Sequence, residues 1–150
     1  MNIILSKDDK ELGQKASQYI AEVLNYTVQE NGEARLLLST GASQLSTINE
    51  LVKLQVDWSK VVMFHLDEYV DLPETHEASF RKYLKERFVD KVDLKAAHFV
   101  GDGDAEDNIA YLTKEIRKAP IDLAVIGIGE NAHIAFNDPP ADFDTKEAIE

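Results

Sequence analysis

The chain has 150 residues, a length typical of one domain, and its 44% hydrophobic and 29% charged residues are ordinary for a globular protein. The net charge of −12 argues against nucleic acid and against an anionic membrane surface as partners, and the absence of cysteine excludes disulfides and thiolate chemistry. No apolar run approaches the roughly 18 residues of a membrane span, and the early acidic residues do not suit a signal peptide. We therefore expect a cytoplasmic protein.

Short apolar runs predict strands along the chain, and the segments between them predict helices. Residues 3–5 predict a first strand. Ser6 then predicts the N-cap of a helix, because acidic residues follow it in the first turn. The apolar residues of this helix recur at helical spacing as far as Leu24. Asn31-Gly32 predicts its end.

The same alternation continues along the rest of the chain. Further strands are predicted at residues 36–38, 61–64, 97–100 and 121–126, with amphipathic helices between them at residues 45–52, 80–88 and 109–116. Strands that consist of continuous apolar runs are usually covered on both faces. Their alternation with helices predicts an α/β fold, in which a mostly parallel sheet lies between two helix layers.

Ligands of open parallel sheets bind beyond the carboxyl ends of the strands, and three predicted strand ends carry polar residues. The first is Ser39-Thr40-Gly41-Ala42-Ser43. Its glycine lets the backbone approach a ligand, its hydroxyls can donate hydrogen bonds, and the following helix start suits a phosphate. An ordinary turn with a serine or threonine cap explains the same residues. Local sequence alone favours this simpler interpretation, because one glycine is a weak signal.

The second polar strand end is Asp67-Glu68-Tyr69, with His65 nearby. Two adjacent carboxylates at the end of a buried strand are unfavourable unless they are solvated, paired or used in chemistry. An aspartate beside an apolar strand can have a raised pKa and act as a general base. A helix cap or a structural ion pair explains the two residues equally well.

The third polar strand end runs from Gly127 to Pro140. Its glycines permit a sharp exit from the strand, and the carboxylate of Asp138 can orient His133 and raise its basicity. A lone histidine is more often structural, but the glycine-rich polar surroundings favour a functional interpretation here. The spacing of histidines and carboxylates matches no common metal-ligand pattern, so no metal site is predicted.

Together these segments resemble the glucosamine-6-phosphate deaminase/isomerase family, which shares a superfamily with 6-phosphogluconolactonase. Residues 39–43 are similar to its phosphate loop, residues 64–73 and 77–80 to its Asp-Glu-Tyr block, and residues 127–139 to its Gly-His block. The resemblance implies one Rossmann-like three-layer α/β/α domain over residues 1–150. It also implies conversion of glucosamine 6-phosphate to fructose 6-phosphate and ammonia, without a metal or an organic cofactor.

The resemblance also implies a role for each matching residue. Asp67 would move a proton between C2 and C1 of the opened sugar, and His133 would help to open the ring. Asn131 and Asp138 would position His133. The residues that would line the phosphate or hydroxyl side of the substrate are Ser39, Thr40, Gly41, Ala42 and Ser43. Those that would support the site are Glu68, Tyr69 and Gly129.

Some features depart from the family pattern. Asn131 stands where some members carry aspartate, Asp138 replaces a glutamate, and Ala132 replaces a glycine, which would alter the loop if a positive φ is required there. These changes leave the identity of the sugar phosphate open. Family members also continue well past Glu150. We therefore expect a truncated chain with an incomplete sheet, an unpaired sheet edge and the basic phosphate-binding side chains beyond its end.

Two other functions fit the same residues. A 6-phosphogluconolactonase-type hydrolase is the nearest, but that family has Asp-Glu-Arg where this chain has Asp67-Glu68-Tyr69, and Ser-Leu-Phe where residues 135–137 stand. A non-catalytic sugar-phosphate sensor needs no proton transfer, and the presence of Asp67 and His133 argues against it. The predicted partner is a small sugar phosphate. A homo-oligomer is also expected, because the family tends to assemble.

Overall fold

The computed structural model describes residues 2–101, 103–129, 131–135, 137 and 144. The helices and strands are, in chain order, α1 (Asp9–Asn31), β1 (Ala34–Leu38), α2 (Leu45–Leu51), β2 (Val61–His65), α3 (Phe80–Arg87), β3 (Ala96–His98), α4 (Ala105–Ile116) and β4 (Leu123–Val125). Short 3-10 turns cover Ala42–Gln44, Trp58–Lys60 and Val89–Lys91. None of the helices in these described ranges is long and apolar enough to cross a membrane.

The strands form one parallel sheet in the order β3-β2-β1-β4. On the central strand β1, Leu38 lies opposite both His65 of β2 and Val125 of β4. These three strands therefore end in one row. The segments that follow them leave the sheet side by side, at its carboxyl edge.

The main hydrophobic core lies on one face of the sheet, where α1, α2 and α3 pack against alternate residues of β1 and β2. Its side chains with no exposed surface include Leu24, Leu36, Leu38, Leu51, Val61, Met63, Leu84 and Phe88. Full burial of one such side chain contributes roughly 1.5–3 kcal/mol. This core therefore holds three helices on one side of the sheet.

Helix α4 covers the opposite face. Successive side chains of a strand point to opposite faces, so Arg35 points away from the core that contains Leu36. The Arg35 guanidinium donates hydrogen bonds to the carbonyls of Glu115 (2.7 Å) and Ile116 (3.1 Å) at the end of α4. Helices thus cover both faces, and the predicted three-layer α/β/α architecture is confirmed.

Two predictions near the N-terminus are wrong. Residues 3–5 do not form a strand; they are 66–85% exposed, and their backbone pairs with no strand in the described ranges. The N-cap of α1 is Asp8 rather than Ser6, because the Asp8 carboxylate accepts a 2.7 Å hydrogen bond from the Glu11 N–H. The predicted end of this helix is confirmed, since Gly32 adopts φ 79° and closes it.

Strand β4 forms one edge of the sheet. Among the described residues it is hydrogen-bonded to β1 alone, and the unpaired edge of an incomplete sheet stays a prediction. Ala124 of β4 is exposed and its neighbour Leu37 on β1 is partly exposed. The face that α4 covers is therefore open near this edge.

Arg35 provides a test of how the second helix layer is held. It is 6% exposed, it donates a third hydrogen bond to the Pro120 carbonyl (3.3 Å), and it stacks 4.7 Å from the Phe64 ring centroid. Arg35→Leu leaves these carbonyls without their donor, so the free energy of unfolding in urea should fall by roughly 2–4 kcal/mol. Arg35→Lys should lose less, because it keeps the charge. A loss below about 1 kcal/mol for Arg35→Leu would contradict this account.

Candidate active site

A cavity of about 460 Å³ opens at the carboxyl edge of the sheet. The segments after β1, β2 and β4 form its walls, because these three strands end side by side. The predicted site residues that line it are Ser39, Thr40, Gly41, Ala42, Ser43, Asp67, Gly129 and His133. The structure thus brings together residues that are up to 94 positions apart in sequence, from Ser39 to His133.

The turn after β1 is not an ordinary capped turn. Gly41 adopts φ 134°, which favours glycine, and no side chain caps the 3-10 turn or α2 that follow it. The hydroxyls of Thr40 and Ser43 make no hydrogen bond within the described part of the chain. The interpretation of a serine or threonine cap is therefore wrong, and these hydroxyls remain available to a ligand.

Ser39 and Gln44 join the turn to the exit of β4. The Ser39 hydroxyl oxygen accepts hydrogen bonds from the Gln44 side-chain amide (2.5 Å) and from the Gly127 N–H (3.0 Å). Gln44 also donates to the Val125 carbonyl (3.2 Å). A Cβ added at Gly127 would lie only 3.0 Å from the Ser43 hydroxyl oxygen. Glycine lets the two segments come this close because it has no Cβ. The sequence analysis did not single out Gln44, and no local pattern marks it.

Asp67 is half-buried in the cavity wall. Burial raises the pKa of its carboxyl group, and the negative charge of Glu68 raises it further. No group in the described residues donates a hydrogen bond to this carboxylate. Asp67 is therefore a carboxylate that faces a cavity and has an increased affinity for a proton.

Glu68 has the opposite environment, and its side chain is completely buried. Its carboxylate accepts hydrogen bonds from the N–H groups of Tyr69 (2.9 Å), Phe80 (3.1 Å) and Arg81 (2.8 Å), and from the Ser79 hydroxyl (2.9 Å). Burial alone would raise the pKa of Glu68, but these donors outweigh it and hold the pKa below its ordinary value. Glu68 thus binds the first turn of α3 to the end of β2. Tyr69 is exposed and lies outside the cavity lining.

Arg81 completes this buried connection, although the sequence analysis did not identify it. Its guanidinium lies 3.4 Å from the Glu68 carboxylate and donates to the carbonyls of Leu72 (2.8 Å) and Gly101. It therefore joins α3 to the loops after β2 and β3. The acceptors lie 9 and 20 residues away in sequence, so helical spacing could not reveal them.

His133 lies in a tight hairpin that follows β4. Its carbonyl accepts a 2.9 Å hydrogen bond from the Gly129 N–H, and its ring Nδ1 is hydrogen-bonded to the Asn131 side-chain oxygen. A Cβ on Gly129 would lie 2.1 Å from the imidazole, so only glycine leaves room for the ring. Ala132 adopts φ 65°, and the positive φ considered in the sequence analysis is present. Asp138 lies outside the described residues.

His65 is buried near the site but does not line the cavity. Neither ring nitrogen has a hydrogen-bond partner within the described residues, and the ring meets Phe99 edge-on at 5.7 Å. Burial lowers the pKa of His65 to about 4; Glu68 acts against this shift and Arg81 adds to it. His65 is therefore neutral at physiological pH.

No lysine or arginine of the described residues lines the cavity, and the location of the basic phosphate ligands stays a prediction. Its titratable groups in that range are Asp67 and His133. Within the described parts of the chain, no three histidine or carboxylate side chains come together to hold a metal ion. The arrangement can exchange protons and offers neutral donors to a ligand.

Comparisons with known proteins agree with this architecture. Residues 7–146 match the family described as glucosamine-6-phosphate isomerases/6-phosphogluconolactonase. The chain is 33% identical over 152 residues to a glucosamine-6-phosphate deaminase of Bacillus cytotoxicus. That match includes 99% of this chain and 56% of the relative, so the chain spans little more than half of the relative's length.

Two solved structures show the same fold. One is a monomeric glucosamine-6-phosphate deaminase, with a TM-score of 0.80 and 24% identity over 97% of this chain and 62% of that chain. The other is a 6-phosphogluconolactonase from Shewanella baltica, with a TM-score of 0.73 and 21% identity over 86% of this chain and 57% of that chain. Both therefore support the arrangement of the sheet and helices.

The buried His65 should make stability depend on pH. Between its ordinary pKa of 6.5 and its folded pKa of about 4, the unfolded chain binds more protons than the folded chain, so stability falls as the pH is lowered through this range. The loss attributable to His65 can reach about 3 kcal/mol. In urea denaturation, His65→Leu should reduce this dependence and be at least as stable at pH 8, because it buries no unpartnered nitrogen. The exposed His76→Leu is the matched control. Parallel profiles for wild type and His65→Leu would contradict the assignment.

The hairpin after β4 can be tested with two opposite substitutions. Gly129→Ala should displace the His133 ring and change its NMR chemical shifts, because the new methyl group overlaps the imidazole. Ala132→Gly should leave these shifts near their wild-type values, since glycine adopts the positive φ freely. Unchanged His133 resonances in Gly129→Ala would show that the ring does not lie against Gly129.

Proposed function

We propose that this chain, which belongs to the family of glucosamine-6-phosphate isomerases and 6-phosphogluconolactonases, carries the proton-transfer residues of an enzyme that isomerises and deaminates an amino-sugar phosphate. The proposed substrates are glucosamine 6-phosphate and water, and the products are fructose 6-phosphate and ammonia. The main support is that Asp67 and His133 reach one cavity from two different strand ends, and that the turn of residues 39–43 lines the same cavity. The deaminase relative supports the choice of reaction.

In this proposal Asp67 is the base that removes the proton from C2 of the opened sugar and returns it to C1. Removal of a proton from carbon requires a base with sufficient proton affinity, and burial supplies part of it by raising the pKa of Asp67. The carboxylate makes no described hydrogen bond that a substrate would have to break. Glu68 supports it by fixing the connection between β2 and α3.

His133 is proposed to transfer the proton that opens the sugar ring. The Asn131 side-chain oxygen can only accept, so the contact at Nδ1 places the proton of a neutral imidazole on that nitrogen. The other ring nitrogen, Nε2, is then free to accept a proton from the substrate hydroxyl. Asn131 is thus proposed as a positioning residue, and the same role for Asp138 remains a prediction.

The turn after β1 is proposed to bind the phosphate or hydroxyl side of the substrate. Thr40 and Ser43 present hydroxyls, and the positive φ of Gly41 keeps the backbone close to the cavity. Because the described lining includes no lysine or arginine, this wall binds through neutral donors. Cationic groups from outside the described lining would complete the binding of a phosphate.

Four properties remain predictions from the sequence. They are the single domain over residues 1–150, the cytoplasmic location, the homo-oligomeric state and the supporting role of Tyr69. One solved deaminase is described as monomeric, so the oligomeric state of this chain should be measured in solution.

Ammonia release from glucosamine 6-phosphate tests the proposal, measured for this chain and for any longer natural form of it. Asp67→Asn should lower kcat at least about 100-fold, because general-base catalysis typically contributes 10²–10⁴-fold. Asp71→Asn is the matched control. Asp71 is exposed, lies outside the cavity lining and has φ 57°, which asparagine tolerates.

The alternatives give different results in the same experiment. Hydrolysis of 6-phosphogluconolactone without ammonia release would favour the lactonase. Binding of the sugar phosphate without turnover in any form of the protein would favour the sensor. Full activity in Asp67→Asn would refute the assigned base and leave the reaction class open.

A further inference from the structure

Helix α3 supports the turn after β1 from outside the cavity. The Tyr83 hydroxyl donates a 3.4 Å hydrogen bond to the Gly41 carbonyl, and the Gln44 N–H donates a 3.1 Å hydrogen bond to the same oxygen. Two donors therefore hold the carbonyl of the peptide that joins Gly41 to Ala42. The N–H of this peptide belongs to Ala42, which lies in the cavity wall.

Arg87 lies behind Tyr83, one helical turn further along α3. Its guanidinium carbon is 5.1 Å from the centroid of the Tyr83 ring. Burial raises the pKa of Tyr83, and the charge of Arg87 acts against this rise. In the described part of the chain no carboxylate pairs with Arg87.

We propose that Tyr83 and Arg87 form a relay that strengthens anion binding by the turn after β1. Tyr83 is a positioning residue whose hydroxyl polarises the peptide between Gly41 and Ala42. Arg87 holds the Tyr83 ring by a cation–π contact and adds positive charge behind its hydroxyl. The identification of the anion as the substrate's phosphate rests on the proposed function.

The relay matters because the cavity is poor in positive charge. A chain of net charge −12 repels an anion at long range, and the described lining of the cavity has no lysine or arginine. Hydrogen bonds in series polarise one another, so a donor at the Gly41 carbonyl makes the Ala42 N–H a stronger donor. The effect should be modest, because the 3.4 Å hydrogen bond is long and Arg87 is exposed.

Inorganic phosphate is the probe, and the Ala42 amide resonance in ¹H–¹⁵N NMR spectra reports its binding. Phosphate should shift this resonance in the wild type. The dissociation constant should rise about threefold in Tyr83→Phe and in Arg87→Met, and Arg87→Lys should recover part of the loss. Tyr83→Phe keeps the ring and removes only the hydroxyl. The double variant should lose less than the product of the two single losses, because both act on one peptide.

The control for charge is Lys114→Met, which changes the net charge as Arg87→Met does. Lys114 lies in the last turn of α4, whose end contacts Arg35 at the start of β1, away from the cavity. The proposal is overturned if Lys114→Met weakens phosphate binding as much as Arg87→Met, if Tyr83→Phe binds phosphate like the wild type, or if phosphate does not shift the wild-type Ala42 resonance.

Turnover gives a second measurement. In the ammonia assay, Tyr83→Phe should raise KM about threefold and leave kcat within about twofold, a pattern that a general loss of structure would not produce. A kcat that falls as much as kcat/KM would overturn the assignment of Tyr83 to binding. If phosphate binds as expected while no sugar phosphate releases ammonia, the relay is supported and the proposed function fails.

Discussion

The parallel pairing of β1 with both β2 and β4 is the constraint on which the rest of the structure depends. It places Leu38, His65 and Val125 in one row, so three chain segments leave the sheet within reach of one another. Each of these segments supplies one wall of the cavity. The hydroxyl-rich turn, Asp67 and the His133 hairpin converge for this reason, and hydrogen bonds from Gly127 to Ser39 and from Gln44 to Val125 join the turn to the exit of β4.

The two neighbouring carboxylates after β2 have different roles. Glu68 holds the structure together, and Asp67 is proposed to act in catalysis. The Glu68 side chain is buried, it accepts five hydrogen bonds and its pKa is lowered, so it fixes the start of α3. Asp67 faces the cavity without a described partner, and its pKa is raised. Consecutive residues of an extended chain point in opposite directions. The hydrogen bonds that anchor Glu68 therefore also hold the backbone of the adjacent Asp67, which the proposed proton transfer requires.

The protein is acidic, although its cavity is proposed to bind an anionic ligand. Its described lining offers hydroxyls and backbone N–H groups and no cationic side chain. Neutral dipoles bind an anion only if they are oriented in advance. The buried hydrogen bonds from Gln44 and Gly127 to Ser39, and the contact of Tyr83 with Gly41, provide this orientation from behind the turn. In the proposal, residues that do not touch the ligand therefore set how well the wall can bind it.

Local patterns in the sequence determined the element types, the layered α/β class and the three polar strand ends, because apolar spacing and glycine positions act over a few residues. Only the tertiary structure decided which groups meet across long separations. Arg35 satisfies carbonyls about 80 residues away, and Gln44 binds a carbonyl 81 residues away. It also decided that residues 3–5 form no strand, because an apolar run becomes a strand only when a neighbouring strand satisfies its backbone.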